Sequence, residues 1–439
     1  MAASHIPKDD KFAIIGATVL GISTALHLAA RGYKDITIFD KKSLSDLTAP
    51  PTQDYPYSAS RCSPADRPEH RDLSLEAING WKAWNEELWA GKTVPPGLSP
   101  EHRVFINNGY YSHFGGDAIP EADIARVRLM EKKGMGLVLL LSTDLDHVGS
   151  ANSRMFNFDP FGREEREKAN IAVLDTLGGT VIVEKAYQFA LYKAQTQGVK
   201  FVFGAEDGAV GELLYHEPRK DNRKHLKGVR TRNGKTHSVD FVVWACETGT
   251  SIPHLPSSLD RTATKTYEFA AAVRIPEGDE LWDRFAPDNF PCWEHILRLP
   301  DEQGVVIFGF PREEDGRMIV GIRAMAESNI AKDDVAINRI KKFLAEFLPE
   351  LNEAGVGIEP LSFNPPEVYA DYCIIDRVPG VKNLLLAVDG RGTGERFIFL
   401  PNIGSHAVDV IEGGESTIAS WKWKSATHQD KKGFGKAKL

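Results

Sequence analysis

Six residues, Gly16-Ala17-Thr18-Val19-Leu20-Gly21, follow the apolar run "KFAIIG" (11–16) and open the helix-spaced stretch "VLGISTALHLAARG" (19–32). Glycines at this spacing make the tight turn that aims a helix N-terminus at a pyrophosphate. Asp40 stands 24 positions after Gly16, ending "KDITIFD" (34–40), with Lys41 next to it. A carboxylate there accepts hydrogen bonds from ribose hydroxyls. The chemistry these residues suggest is dinucleotide binding. Position 18 departs from that pattern, because a glycine there normally lets the backbone approach the phosphates. The Cβ and methyl of Thr18 would press on a pyrophosphate, and a strained backbone there costs about 1–3 kcal/mol. Its hydroxyl would alternatively hydrogen-bond a phosphate oxygen. Both outcomes stay open at this point.

The elements that position these residues read as strand, helix, strand, a βαβ unit with Gly32 as helix stop. Further on, "RDLSLEAINGWKAWNEELW" (71–89) has helical periodicity, and "RVFINNGYYSHF" (103–114) reads as two strands paired around a turn. "YQFALYKAQTQGVKFVFG" (187–204) is helix, Gly198, strand. Residues 225–246 form a hairpin tipped by Asn233-Gly234 and then a buried strand, "FVVWAC". Strands ("EFAAAVRI", "GVVIFGF", "RMIVGI") and the helix "VAINRIKKFLAEFL" fill 263–355. Residues 381–414 close the pattern with strand, glycine-rich loop and helix.

Composition narrows the classes. At 439 residues, with 42% hydrophobic and 26% charged, the chain has the make-up of a globular protein of one or two domains. A net charge of −8 argues against a general nucleic-acid binder. Four cysteines (Cys62, Cys246, Cys292, Cys373) are scattered, with no CxxC pair, so neither a zinc site nor a disulfide framework is expected. No apolar run of about 18 residues exists, so no membrane span is expected, and no metal motif or P-loop is present. Met1–Lys11 has no apolar core, so no signal peptide is expected. The last three residues, Ala437-Lys438-Leu439, are a near variant of the Ser-Lys-Leu peroxisomal address; the other reading is a lysine-rich tail.

Several segments in the right order resemble the fungal fructosyl-amino-acid oxidases (amadoriases), relatives of monomeric sarcosine oxidase. These are "STALHLAARGYKDITIFD" (23–40), "LSLEAINGW" (73–81), "AQTQGVKFVFG" (194–204), "KGVRTRNGKTHSVDFVVWA" (227–245) and "DRVPGVKNLLLAVDGRGTG" with "FLPNIGSHAVDVIEG" (376–413). The resemblance implies an α/β fold: a discontinuous Rossmann-like FAD-binding domain (1–100, 165–258, 356–439) with an inserted antiparallel-sheet substrate domain (101–164, 259–355). It implies FAD, an amine substrate carrying a carboxylate, oxygen as acceptor, and hydrogen peroxide as product. A monomer is expected, and peroxide production agrees with a peroxisomal import receptor gripping the C-terminal tripeptide.

The departures cluster at the flavin. The family's GxGxxG turn carries Thr18 here, and its Ala-x-Gly turn reads Ala245-Cys246-Glu247. The cysteine that carries the family's flavin has no counterpart: its position falls near Ser362-Phe363, and no cysteine lies between Cys292 and Cys373. FAD is therefore expected to bind non-covalently, with Cys373 a small buried residue. The final loop, close to GSGHGFKF in the family, reads "GRGTGERFIF" (390–399). Gly390, Gly392, Thr393 and Gly394 would line the flavin, Thr393 stands for the histidine, and Ile398 replaces the lysine. Arg391 or Arg396 would restore a cation for a substrate carboxylate, or is a surface arginine. Lys265 aligns with the lysine that assists oxygen, or is a solvated lysine before a strand. Arg61 is the candidate for a substrate anion in the early loop. The alternative to the oxidase is a relative with weak or no flavin binding, acting as a non-redox catalyst or binding protein.

Overall fold

The computed structural model describes residues 6–44, 57–60 (backbone), 70–217, 223–246, 266–297, 304–325, 328, 331–361, 373–389, 397–416 and 418–423. Strand β1 (Lys11–Ile15) lies mid-sheet, where apolar residues on both faces are buried. It feeds helix α1 (Val19–Ala30), which Gly32 ends at φ +87° before β2 (Asp35–Asp40) returns parallel to β1. A left-handed φ of that kind is open to glycine without a Cβ penalty. The sheet has six strands in the order 373–377, 384–389, 241–244, β1, β2, 200–203. All neighbours are parallel except the antiparallel pair 373–377 and 384–389. Strands 200–203 and 241–244, helix 71–89 and the 224–231/236–238 hairpin fall where hydrophobic periodicity put them.

Helix α1 is buried on nearly all sides, which its almost wholly apolar sequence allows. Helix Ile403–Ile411 packs against it so closely that a Cβ on Gly404 would lie 2.1 Å from the Ser23 carbonyl carbon. The Gly404 N–H donates to Ser23 Oγ at 2.8 Å, so the buried hydroxyl is satisfied.

A second sheet of eight strands runs 358–360, 266–274, 317–325, 306–309, 292–296, 110–114, 172–175, 139–141. Strands 105–106 and 110–114 do not pair with each other, contrary to the sequence expectation. Gly109, at φ +87°, turns the chain between two sheets: 105–106 joins 179–182 in a three-stranded sheet, and 110–114 joins 292–296. Two adjacent strand-like runs carry no local signal of which partner each will find.

Helix Asp333–Phe347 covers one face of the eight-stranded sheet, placing Phe343 and Phe347 on Trp293, His113 and His295. His113 and His295 sit opposite each other in register, and their Nδ1 atoms are 2.8 Å apart, both rings buried. One ring must donate to the other, so the accepting ring carries no proton on Nδ1 and cannot be an imidazolium. Burial holds both imidazoles well below the ordinary range. The partner ring and Arg163 add to this for His113, and Arg163 and Arg339 for His295. Below pH about 6.5 the unfolded chain binds protons that the folded pair excludes, so stability falls as pH drops, by up to about 1.4 kcal/mol per pH unit for each ring. Denaturant unfolding between pH 7 and 4 is expected to show that acid limb, and His113→Leu/His295→Leu to flatten it. An equal slope in the double variant would contradict the assignment.

Candidate functional site

The turn from β1 to α1 is built on two glycines. Gly16 has φ +108°, and a Cβ there would meet the Ala245 carbonyl oxygen at 2.6 Å. A Cβ on Gly21 would lie 2.0 Å from the Gly16 carbonyl oxygen. Both glycines are thus required by close backbone approach within the protein itself.

Thr18 corrects two expectations. Its backbone (φ −83°, ψ 174°) is extended and ordinary for any residue, so no strain is stored there. Its hydroxyl donates to the Ala245 carbonyl at 2.6 Å and accepts from the Gly21 N–H at 3.3 Å, capping α1. A hydroxyl has one proton to give, and a phosphate oxygen only accepts. The proposed Thr18–phosphate bond therefore has no donor while this arrangement stands.

Asp40 does reach the turn. Its Oδ2 accepts the Ala17 N–H at 2.7 Å, and its Oδ1 accepts the Lys42 N–H at 2.8 Å; Lys41 is exposed beside it. On the other side of the same residue, the Ala17 carbonyl accepts the Tyr187 hydroxyl. Burial, and then the nearby Asp40 charge, push the Tyr187 phenol far above its usual range, so it acts as a neutral donor. Tyr187 comes from helix Val183–Thr196, and nothing in the sequence singled it out.

Other expectations divide by position. Cys373 is buried in the core of the six-stranded sheet, the small apolar role foreseen for it. The Cys246 thiol donates to the Ile15 carbonyl at 3.3 Å. Ile398, standing for the family's lysine, packs against that same core, and its carbonyl accepts the Trp81 indole N–H at 2.8 Å. Arg61, Glu247, Lys265, Ser362-Phe363, Gly390, Arg391, Gly392, Thr393, Gly394, Arg396 and the tripeptide Ala437-Lys438-Leu439 lie outside the described residues. Among the described residues, no group of three or more His, Cys, Asp or Glu could hold a metal, and no helix is long and apolar enough to cross a membrane.

The face of the eight-stranded sheet opposite the helix carries polar pairs amid apolar residues. Ser112 donates to Glu294 Oε1 at 2.8 Å across strands 110–114 and 292–296. On the neighbouring strands Arg323 is paired with Glu268, and its guanidinium lies 5.4 Å from the Phe308 ring centre. Tyr110, Cys292 and Phe310 share this face, with Ile182 of strand 179–182 packed against them. Strand Cys292–Ile296 was not singled out in the sequence. Its alternation was the available signal: Trp293 and His295 face the helix while Cys292 and Glu294 face away.

A profile of the FAD dependent oxidoreductase (DAO) family matches residues 11–409, and the chain belongs to that family. Among solved structures, a fructosyl peptide oxidase from E. terrenum superposes with a TM-score of 0.67 at 21% identity, covering 96% of this chain and 94% of that one. A modified fructosyl peptide oxidase from Aspergillus nidulans, in complex with FSA, gives 0.65 at 23%, covering 95% and 94%. Amadoriase I from Aspergillus fumigatus gives 0.60 at 20%, covering 96% and 91%. The shared fold is the α/β architecture the sequence led us to expect. A search of curated proteins returns no sequence match.

The described residues fit the ADP half of FAD. The first turn of α1 holds no acidic side chain to oppose an anion. Each Asp40 oxygen has one backbone partner and retains acceptor capacity for a ribose hydroxyl. Asp40→Ala is expected to weaken FAD binding at least about tenfold, read by flavin fluorescence titration. Undiminished affinity would remove Asp40 from the site.

Proposed function

We propose that the chain is an oxidase of a secondary amine bearing a carboxylate, an N-substituted or glycated amino acid or a related amine, and that it holds FAD without a covalent bond. When bound, FAD would supply a hydride acceptor for the carbon next to nitrogen and a route for those electrons to oxygen, converting amine and oxygen to imine and hydrogen peroxide. Asp40 and the α1 N-terminus would hold the nucleotide end.

The observation that carries the amine reading is the paired polar face of the eight-stranded sheet. A zwitterionic amine needs one anionic and one cationic partner, and the face supplies Glu294 and Arg323 among aromatic rings. Glu294 would accept from the substrate's N–H, with Ser112 holding that carboxylate in place. Arg323 would meet the carboxylate as a fork of donors once Glu268 yields. The absent flavin-linking cysteine supports non-covalent attachment. The C-terminal Ala-Lys-Leu supports a peroxisomal address, and removing it is expected to leave a fluorescent fusion in the cytosol.

The test is direct. The purified protein is expected to be yellow, to leave its colour in the supernatant after acid precipitation, and to release peroxide from some member of a panel of N-substituted and fructosyl amino acids. Glu294→Gln is expected to raise KM about tenfold or more with flavin content unchanged. A colourless protein that FAD neither stabilises nor activates would overturn the oxidase, and colour in the precipitate would overturn the non-covalent attachment.

A further inference from the structure

We propose that Thr18 is a latch that stabilises the turn between β1 and α1 at the expense of flavin affinity. This rests on membership of the FAD-dependent family and goes beyond it, because it concerns a residue that the usual turn does not have.

Four observations meet at this residue. The hydroxyl joins three elements at once: the turn that carries it, the Gly21 N–H in the first turn of α1, and the Ala245 carbonyl at the end of strand 241–244. The peptides around it are fixed as well, with Ala17 N–H on Asp40, Ala17 C=O under Tyr187, and Gly16 wedged against Ala245. The backbone at Thr18 is extended, so glycine is not needed there for conformation. Finally, Thr18 is half-buried while Gly16, Ala17, Val19, Leu20 and Gly21 are all buried, so it is the part of the turn that an arriving ligand meets.

The consequence follows from hydrogen-bond capacity and space. A pyrophosphate normally approaches the backbone at this position because no side chain intervenes. Here a Cβ and methyl stand in its way, on a turn braced by hydrogen bonds from both sides. The hydroxyl cannot compensate, since its proton is already on Ala245. The same hydroxyl ties the turn to strand 241–244 and to α1 through the protein's own groups, a contribution to stability that needs no ligand.

Wild type, Thr18→Ser, Thr18→Val and Thr18→Gly separate the two effects. The melting temperature of the flavin-stripped full-length protein reads the latch, and flavin fluorescence titration reads affinity. Serine keeps the hydroxyl and is expected to melt with wild type. Valine keeps the shape without the hydroxyl, and should melt about 2–4 °C lower with no gain in affinity. Glycine removes both, and should also melt lower while binding FAD at least about fivefold more tightly. Lower stability with tighter binding is the signature, because a merely structural threonine would lose both together. The proposal is overturned if the glycine variant binds FAD no more tightly, if the valine or glycine variant melts with wild type, or if serine melts as low as valine. If no variant binds FAD, the trade-off fails together with the cofactor reading; binding that ignores position 18 overturns the trade-off alone.

Discussion

The close approach of two backbones, Gly16 on the β1 turn and Ala245 at the end of the next strand, is the constraint that the nucleotide side depends on. The space between them has no room for a side chain at position 16. With the turn seated there, Gly21 can slide under the Gly16 carbonyl and start α1 directly above the sheet. Asp40 then ends its strand within reach of Ala17, and Thr18 within reach of Ala245. Helix 403–411, from the far end of the chain, packs on α1 through a second contact that only glycine permits, at Gly404. Close packing of this sort leaves few alternative arrangements, since each contact fixes the next.

The eight-stranded sheet is organised differently. One face is closed by aromatic packing from helix 333–347, and the histidine pair sits inside it as a polar tie between parallel strands. That tie disfavours charge, because burial penalises it there and the neighbouring arginines push the same way. The other face keeps carboxylates and a guanidinium in paired, partly buried positions. Adjacent side chains along one strand thus serve opposite purposes, His295 in the core and Glu294 away from it, as the pleat requires.

The turn of this chain carries Thr18 where the family pattern has a glycine. In this chain Thr18, Asp40 and Tyr187 tie the turn to its neighbours with the protein's own groups. The anion-attracting end of α1 is unaffected, since the helix dipole does not depend on the residue at the cap.

Much of the nucleotide side was legible in the sequence. The βαβ unit, its two glycines, Asp40 and the buried strand 241–244 are local patterns whose physical cause lies within thirty residues, and the structure keeps them. The buried role of Cys373 was legible too, from its place at a strand residue of the resembled family. Tertiary structure alone decided the rest. Thr18 reads as an obstacle in one dimension; that its hydroxyl turns to Ala245, 227 positions away, depends on strand order. Tyr187 on Ala17, and Glu294 beside Ser112, are likewise contacts between strands and helices distant in the chain. The split of 105–106 from 110–114 has the same origin. Side-chain type and spacing fix what a segment can become, but which groups meet is settled by sheet order and register, and no local pattern carries that information.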